Sequence, residues 1–541
     1  TVFNSHNKFM RRARLMKGGI LMNPSSADMA ILRKLEQLMS EDEYSLTVRQ
    51  PNQWMYAYLG PDSAITGYLQ GLIAGRPMTP RSWFYEDVDP AELIRYVSQH
   101  IRDSKIDSPY AADIKQFDLG YESKFGPQGG IPPLIDCLDV VIRGFKPNPV
   151  DYSDPLWHQA KIRVVKRLQL RQQLKPWSYS RVIEDSKSRG RITRYAGFPT
   201  GGKKSDPRNQ VRAIRDALSG AWSRYPAMVL FRFYKGKLRM VWMMPFSSVL
   251  VGASFANPIM EHLRSLGLPD FSQWEGFEDT EQALTAIWDP SADLAFGGDT
   301  TAMDDHMTRV QDEEVFDVLK WAFRESDWDL FHEYLMYESS VPLLISPTIM
   351  LAGHHGKASG GSFTQLSETI YQEIVEEYAS IVSRRELKGL LVIGDDYVRV
   401  ARGTKPLGDF LVKIYSKFGL PGKIEKQSDV PYRVTYCQRL FVDGWYRRND
   451  RRILGGIYAL DSAMRSLVWP ENWVDPADYP GHFSDMFVTK VAAIVENTVN
   501  HPEFDWFARF SGHAQKDIIP FAKASDRQID KVWEKSKSVR G

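Results

Sequence analysis

The chain has 541 residues, is 43% apolar and 25% charged, and carries a net charge of +2; this is the composition of a folded protein too long for one hydrophobic core, so two or three lobes are expected. Its two cysteines, Cys137 and Cys437, exclude a disulfide framework and a cysteine-based zinc site and suit a reducing compartment. The longest nearly apolar stretch, residues 341–352, is broken by Ser346, Pro347 and Thr348 and is too short to span a bilayer, and the basic start lacks the apolar run of a secretory leader.

In chain order, residues 26–39 place Met29, Ile31, Leu32, Leu35, Leu38 and Met39 at helical spacing, with Ser25 or Ser26 as the cap. Pro/Gly clusters at 126–130 and 147–149 mark a boundary near residue 150. Helices are expected over residues 155–174 and 208–222, within an acidic region around 311–337, and over 363–383. The apolar run 389–393, the turn at Asp395-Asp396 and the run 397–400 predict a hairpin. Residues 405–418 predict a helix stopped by Gly419, and the last hundred residues are again helical.

The small net charge hides a separation. Residues 161–239 hold 21 Lys/Arg against four acids, and residues 261–340 hold 20 acids against four bases. Either the two stretches neutralise each other across an interface, or a basic channel for polyphosphate lies beside an acidic floor that holds divalent metal.

Gly394-Asp395-Asp396 is the sharpest local signal. Adjacent acids are often only a solvated turn, but apolar flanks put this turn at the end of buried strands, where crowded carboxylates gain from a hard divalent cation. Upstream, Leu294-Ala295-Phe296 predicts a short strand that delivers Asp299 to the same place, followed by Asp304 and Asp305. Between the acidic sites, Ser359-Gly360-Gly361-Ser362-Phe363-Thr364 leads into a helix; its small residues allow close backbone approach, and its hydroxyls suit sugar or base.

This ordered set resembles motifs A, B and C of viral RNA-dependent RNA polymerases, and the Gly-Asp-Asp form favours them over reverse transcriptases. The resemblance extends outward. Ala196-Gly197-Phe198-Pro199 with Gly202, Lys203 and Lys204 looks like motif G, at the template's way in. Residues 235–241 look like motif F, whose Lys235, Lys237 and Arg239 would clamp the triphosphate. Phe418-Gly419-Leu420 with Lys426 looks like motif D, and Tyr436-Cys437-Gln438-Arg439 like motif E, the primer grip. The pattern is most similar to polymerases of small double-stranded RNA viruses, picobirnavirus-like first and partitivirus-like second. Glu368 departs from it by standing where many relatives place Asn, so the Asn–Asp sugar-recognition pair is in doubt, and Asp305 competes with Asp304 for the sugar-reading role.

The resemblance implies an α+β, closed right-hand fold. Residues 1–150 would be an N-terminal extension bridging fingers and thumb, 151–290 mainly fingers, 291–445 mainly palm and 446–541 thumb. It implies two-metal nucleotidyl transfer in viral replication and transcription. Asp299, Asp395 and Asp396 would bind two Mg²⁺, with Mn²⁺ as a substitute, and Lys426, with Lys423 as its rival, would protonate pyrophosphate. Asp304, Ser359, Gly360, Thr364 and Glu368 would meet the nucleotide, and Gly197, Pro199, Lys203, Lys204 and Arg439 the template and primer. Partners would be RNA template and product, nucleoside triphosphates and viral capsid protein, with no membrane, in the virion interior and host cytoplasm. Two other patterns carry less. A near P-loop over residues 197–203 has Lys204 where Ser or Thr is required, and His354-His355 is taken as a pair of loop histidines.

Overall fold

The computed structural model describes residues 24–121, 124, 126–422, 428–472, 483–514 and 523–539. Helices dominate, and the capping chemistry shows why they start where they do. Ser25 and Asp28 form a reciprocal capping box for the helix Ser26–Glu41. Pro90, Pro155 and Pro207 each open a helix behind an aspartate whose carboxylate accepts a free first-turn N–H. Two expected helices are shorter than their patterns. Pro155–Arg167 ends early because Gln172 and Leu174 donate their backbone N–H groups to the carbonyls of Trp321 and Ala322. Pro207–Leu218 is cut by Gly220, which adopts a left-handed conformation with φ 76°.

Eleven strands among the described residues form three sheets. The largest has the order β1 (Thr47–Arg49), β6 (Met350–Ala352), β5 (Leu343–Leu344), β2 (Ala227–Tyr234) and β3 (Lys237–Met243). The second has β4 (Asp293–Asp299) beside β8 (Asp396–Arg402), and β8 beside β7 (Leu387–Ile393), antiparallel throughout. The third is β9 (Arg433–Tyr436), β10 (Arg439–Val442) and β11 (Ile457–Tyr458). The helix Thr364–Val382, buried on most of its surface, packs on β7 and on Pro155–Arg167 and gives the second sheet a rigid back.

The first 150 residues divide between two cores. Ile31, Leu35 and the 134–145 segment enter the main core, and β1 pairs with β6. Phe84, Leu93, Val97 and Ile101 instead pack against Leu460, Met464, Leu467, Phe487 and Phe507 in a separate core. Buried polar contacts lock this second junction: Ser98 donates to Asp461 (3.1 Å), and His501 bonds Asp118 (2.7 Å). The N-terminal region therefore touches both the large sheet and the C-terminal helices.

Candidate active site

The floor of the site is the end of the second sheet. β4 and β8 run antiparallel with Asp299 directly opposite Asp396, and Ile393 pairs with Asp396 across the hairpin. Gly394 and Asp395 are the two turn residues, and Gly394 takes the positive φ (55°) that the first central position of a tight primed turn requires. The turn is anchored from behind: Gly394 N–H donates to the Thr369 hydroxyl (3.1 Å), the Gln372 amide donates to the Gly394 carbonyl, and Thr300 N–H donates to the Asp395 carbonyl (3.0 Å). Gly297 lets β9 approach, since a Cβ there would stand 2.6 Å from the Thr435 carbonyl oxygen. β4 thus delivers Asp299, and the hairpin delivers Asp395 and Asp396 to the same edge.

The carboxylates at this edge interact strongly. Burial pushes Asp396 up to about 7, with Asp395 and Asp299 adding repulsion and the Cys437 thiol, at the tip of the β9–β10 hairpin, opposing it by donating a hydrogen bond. Burial likewise raises Asp304 to about 6, helped by Asp305 and Asp395. Glu368 lies well above the ordinary carboxylate range, first through burial and then through Asp304 and Asp395. The Asp305 carboxylate is paired with Arg143. Among the described residues no three His, Cys, Asp or Glu side chains are drawn together as a ready-made metal cage. The aspartates instead share the floor as hard oxygen donors, and a divalent cation would relieve the repulsion between them.

One wall is the Gly/Ser loop. Ser359 accepts from Trp242 N–H (3.3 Å) and donates to the Met240 carbonyl (3.4 Å), which ties the loop to β3. Thr364 donates to the Ala358 carbonyl (2.7 Å) and Ser362 to the Val249 carbonyl (3.0 Å). The hydroxyl protons expected to meet sugar or base are thus spent here on backbone carbonyls of the loop and its neighbours. Gly360 is as sharply constrained, because a Cβ would overlap the Trp242 carbonyl oxygen.

Another part of the lining is rich in base. A cleft of about 1020 Å³ is lined by Arg181, Arg189, Arg191, Arg194 and Lys204, with Arg189 paired to Asp185 and Arg181 to Glu261, and also by residues 359–362, Thr364, Glu368, Asp395 and Asp396. Burial and the nearby Arg194 push Lys204 down to about 8. The arginines were not singled out from sequence; their signal was the regional excess of base. Part of the charge separation is neutralised across an interface, and part of it lines the cleft. Lys161 pairs with Glu314 (2.6 Å) and Asp317 (2.9 Å), and Arg167 with Asp270 (3.0 Å), while the bases from 189 to 204 face the cleft.

Several expected site residues stand elsewhere. Lys235 does not reach the cleft: its ammonium donates to Gln438 (2.7 Å), Tyr458 (3.0 Å) and Ser462 (3.1 Å), bridging the β2–β3 turn to the third sheet and the C-terminal region. Arg439 is buried against Phe277, its guanidinium carbon 3.6 Å from the ring centroid, and donates to the Asn497 carbonyl (2.7 Å), so its guanidinium is engaged internally. Lys237 and Arg239 are exposed on β3, and Lys203 is exposed beside Lys204. Gly197 (φ 72°) and Pro199 shape a loop closed on Met244, with Phe198 packed among Trp54, Tyr58 and Tyr225, and these residues do not line the cleft. Lys426 and Lys423 lie outside the described residues. His355 is buried and stacked on Trp242 with both ring nitrogens near backbone carbonyls, a core residue.

No protein-family model matches the chain. It is 23% identical over 492 residues to the "Potential RNA-dependent RNA polymerase" of Human picobirnavirus (strain Human/Thailand/Hy005102/-), covering 85% of this chain and 86% of that one. The crystal structure of the RNA-dependent RNA polymerase of a human picobirnavirus superposes with a TM-score of 0.76 at 18% identity, over 90% of this chain and 94% of that one. An insertion-loop deletion mutant of such a polymerase gives a TM-score of 0.75 at 17% identity, over 91% and 97%. The chain thus has the α+β right-hand polymerase fold, and its likeness to picobirnavirus polymerases extends well beyond the motif-bearing residues 196–441.

Proposed function

We propose that this chain is an RNA-dependent RNA polymerase that extends RNA on an RNA template by two-metal nucleotidyl transfer. The observation that carries the proposal is the direct cross-strand pairing of Asp299 with Asp396, which lines a cleft together with Asp395, Arg189, Arg191, Arg194 and Lys204. Nearly full-length likeness to proteins described as picobirnavirus polymerases supports it.

Asp299, Asp395 and Asp396 would hold two Mg²⁺, or Mn²⁺ in their place. Bound there, the ions would lower the cost of ionising the 3′-hydroxyl and neutralise charge on the departing pyrophosphate. The protein's own contribution is placement. The basic wall, with the exposed Lys237 and Arg239, attracts and orients phosphates. Asp304 faces the ribose, with Glu368 closing that side, and the Gly/Ser loop offers backbone without side-chain bulk. RNA is held through its phosphates, so binding is salt-dependent and weakly sequence-specific.

In this reading the N-terminal region, packed on both the large sheet and the C-terminal helices, bridges fingers and thumb, with fingers over 151–290, palm over 291–445 and thumb over 446–541. Replication and transcription of a double-stranded RNA genome, contact with capsid protein, and residence in the virion interior and host cytoplasm belong to the same proposal.

The test is incorporation of labelled ribonucleotides on a defined RNA template, with and without primer, by the parent chain and by Asp395→Asn. The parent should extend in Mg²⁺. The variant should lose on the order of a thousandfold or more, at tenfold per ~1.4 kcal/mol, while still binding RNA. Near-normal synthesis by Asp395→Asn would sink the mechanism.

A further inference from the structure

Behind the Gly/Ser loop lies a charged group that the chemistry above does not use. Lys357, Asp312 and Glu338 form an ion-paired triad, and none of the three side chains has any solvent exposure. The ammonium is 2.9 Å from Asp312 Oδ1 and 3.0 Å from Glu338 Oε2. Pairing rarely more than offsets the desolvation of buried charges, and apolar residues of similar volume would hold a core as well. Cohesion alone therefore does not account for the triad.

Its connections point to the cleft. Lys357 N–H donates to the Asp304 carbonyl (2.7 Å), and Gly356 lies so close that a Cβ would overlap the same oxygen. Ala358 N–H donates to the Glu338 carbonyl (3.1 Å), and the Ala358 carbonyl accepts from Gly361 N–H (2.7 Å) and the Thr364 hydroxyl (2.7 Å). Glu338 Oε1 accepts from Phe363 N–H (3.1 Å) and the Tyr334 hydroxyl (2.6 Å), and a Cβ on Gly361 would overlap it. Asp312 lies in the first turn of Arg309–Leu319, the helix that follows the Asp304 turn. One residue thus joins these elements: the Lys357 backbone holds the Asp304 turn, and its ammonium ties the start of Arg309–Leu319 to Glu338, which in turn holds the Gly/Ser loop at Ala358 and Phe363.

We propose that Lys357 is a positioning residue for nucleotide selection: paired with Asp312 and Glu338, it fixes the separation between the Asp304 turn and the Gly360 loop, so that one ribose meets both. The inference rests on the polymerase reading above. Lys357 touches no substrate; it acts by holding two walls at a set distance, and small displacements of reacting or recognising groups are costly.

Lys357→Met alone would strand two buried carboxylates and destabilise the fold. The decisive variant is the neutral triple K357M/D312N/E338Q, with D312N, which keeps the Lys357–Glu338 pair, measured in parallel. Melting temperature establishes folding, and single-nucleotide addition with ribo- and deoxyribonucleoside triphosphates gives KM and kcat for each sugar. The triple variant should stay folded, raise the ribonucleotide KM by about tenfold, and lose ribose preference by about tenfold to a hundredfold, with D312N moving the same way by less. A merely structural triad would leave the sugar ratio unmoved. Parent-like KM and sugar preference in either folded variant overturns the role of Lys357, and so does failure of both variants to fold, which would make the triad a folding element only. A parent chain that adds neither nucleotide overturns the polymerase reading itself and this inference with it.

Discussion

The backbone carbonyl oxygen of Trp242 occupies the space where a Cβ on Gly360 would stand. With Ser359 bonded to the same strand on either side, the Gly/Ser loop and β3 behave as one wall. Gly360→Ala must displace backbone, an overpacking change of about 1–3 kcal/mol, and nucleotide addition should fall by at least about tenfold because the loop shifts at the site. Gly71→Ala, in open space on the helix Ala64–Ala74, should leave addition unchanged. Thermal melts and a primed addition assay on both variants check this; equal activity would show that the loop tolerates movement.

Adjacent aspartates should have unequal roles. Asp304 interacts with Glu368 and Asp395, whereas Asp305 is paired with Arg143. Asp304→Ala should reduce ribonucleotide use more than deoxyribonucleotide use, by about tenfold for one lost hydrogen bond to a charged group. Asp305→Ala should cost stability and leave the ratio alone. A changed ratio in Asp305→Ala with an unchanged one in Asp304→Ala would move the sugar-reading role by one residue.

The crowded floor makes stability depend on pH and metal together. Asp304 and Asp396 are raised to about 6 and about 7, above the ~3.9 of an aspartate in an unfolded chain. From about pH 4 to 7 the folded, metal-free protein therefore holds protons that the unfolded chain has released. Their stabilising contribution is complete below about pH 4 and lost as pH rises through the folded values. Mg²⁺ binds the ionised form, so it should raise the melting temperature more at about pH 8 than at about pH 5. Scans with EDTA or Mg²⁺ at both pH values measure this. The Mg²⁺ shift should shrink in Asp395→Asn, and its absence from the parent would remove the metal assignment.

Lys235 should prove structural and its strand neighbours functional. Lys235→Met strands three hydrogen-bonding partners and should destabilise by about 1–3 kcal/mol with little change in nucleotide KM. Lys237→Ala and Arg239→Ala, at exposed positions, should raise KM while stability stays within about 0.5 kcal/mol. Steady-state kinetics beside denaturant unfolding separates the cases. A large KM effect in Lys235→Met alone would restore it as the phosphate clamp.

The sequence by itself determined what depends on local chemistry. The helix Ser26–Glu41 with its Ser25 cap, the helix Thr364–Val382, the hairpin around Gly394 and the strand bearing Asp299 all lie where periodicity, caps and turn residues place them, because each is set by neighbours within a few positions. The motif order was legible for the same reason, and with it the polymerase fold. Only the tertiary structure decided where long side chains end. Lys235 and Arg439 sit at motif positions yet point into contacts with Ser462 and Asn497, more than fifty residues away in each case, which no local pattern encodes. It also set Asp304 beside Asp395 and Glu368, while the distant Arg143 forms its ion pair with Asp305. The Lys357–Asp312–Glu338 triad was invisible for the same physical reason: three charged residues scattered along a chain look solvated until packing removes the water around them.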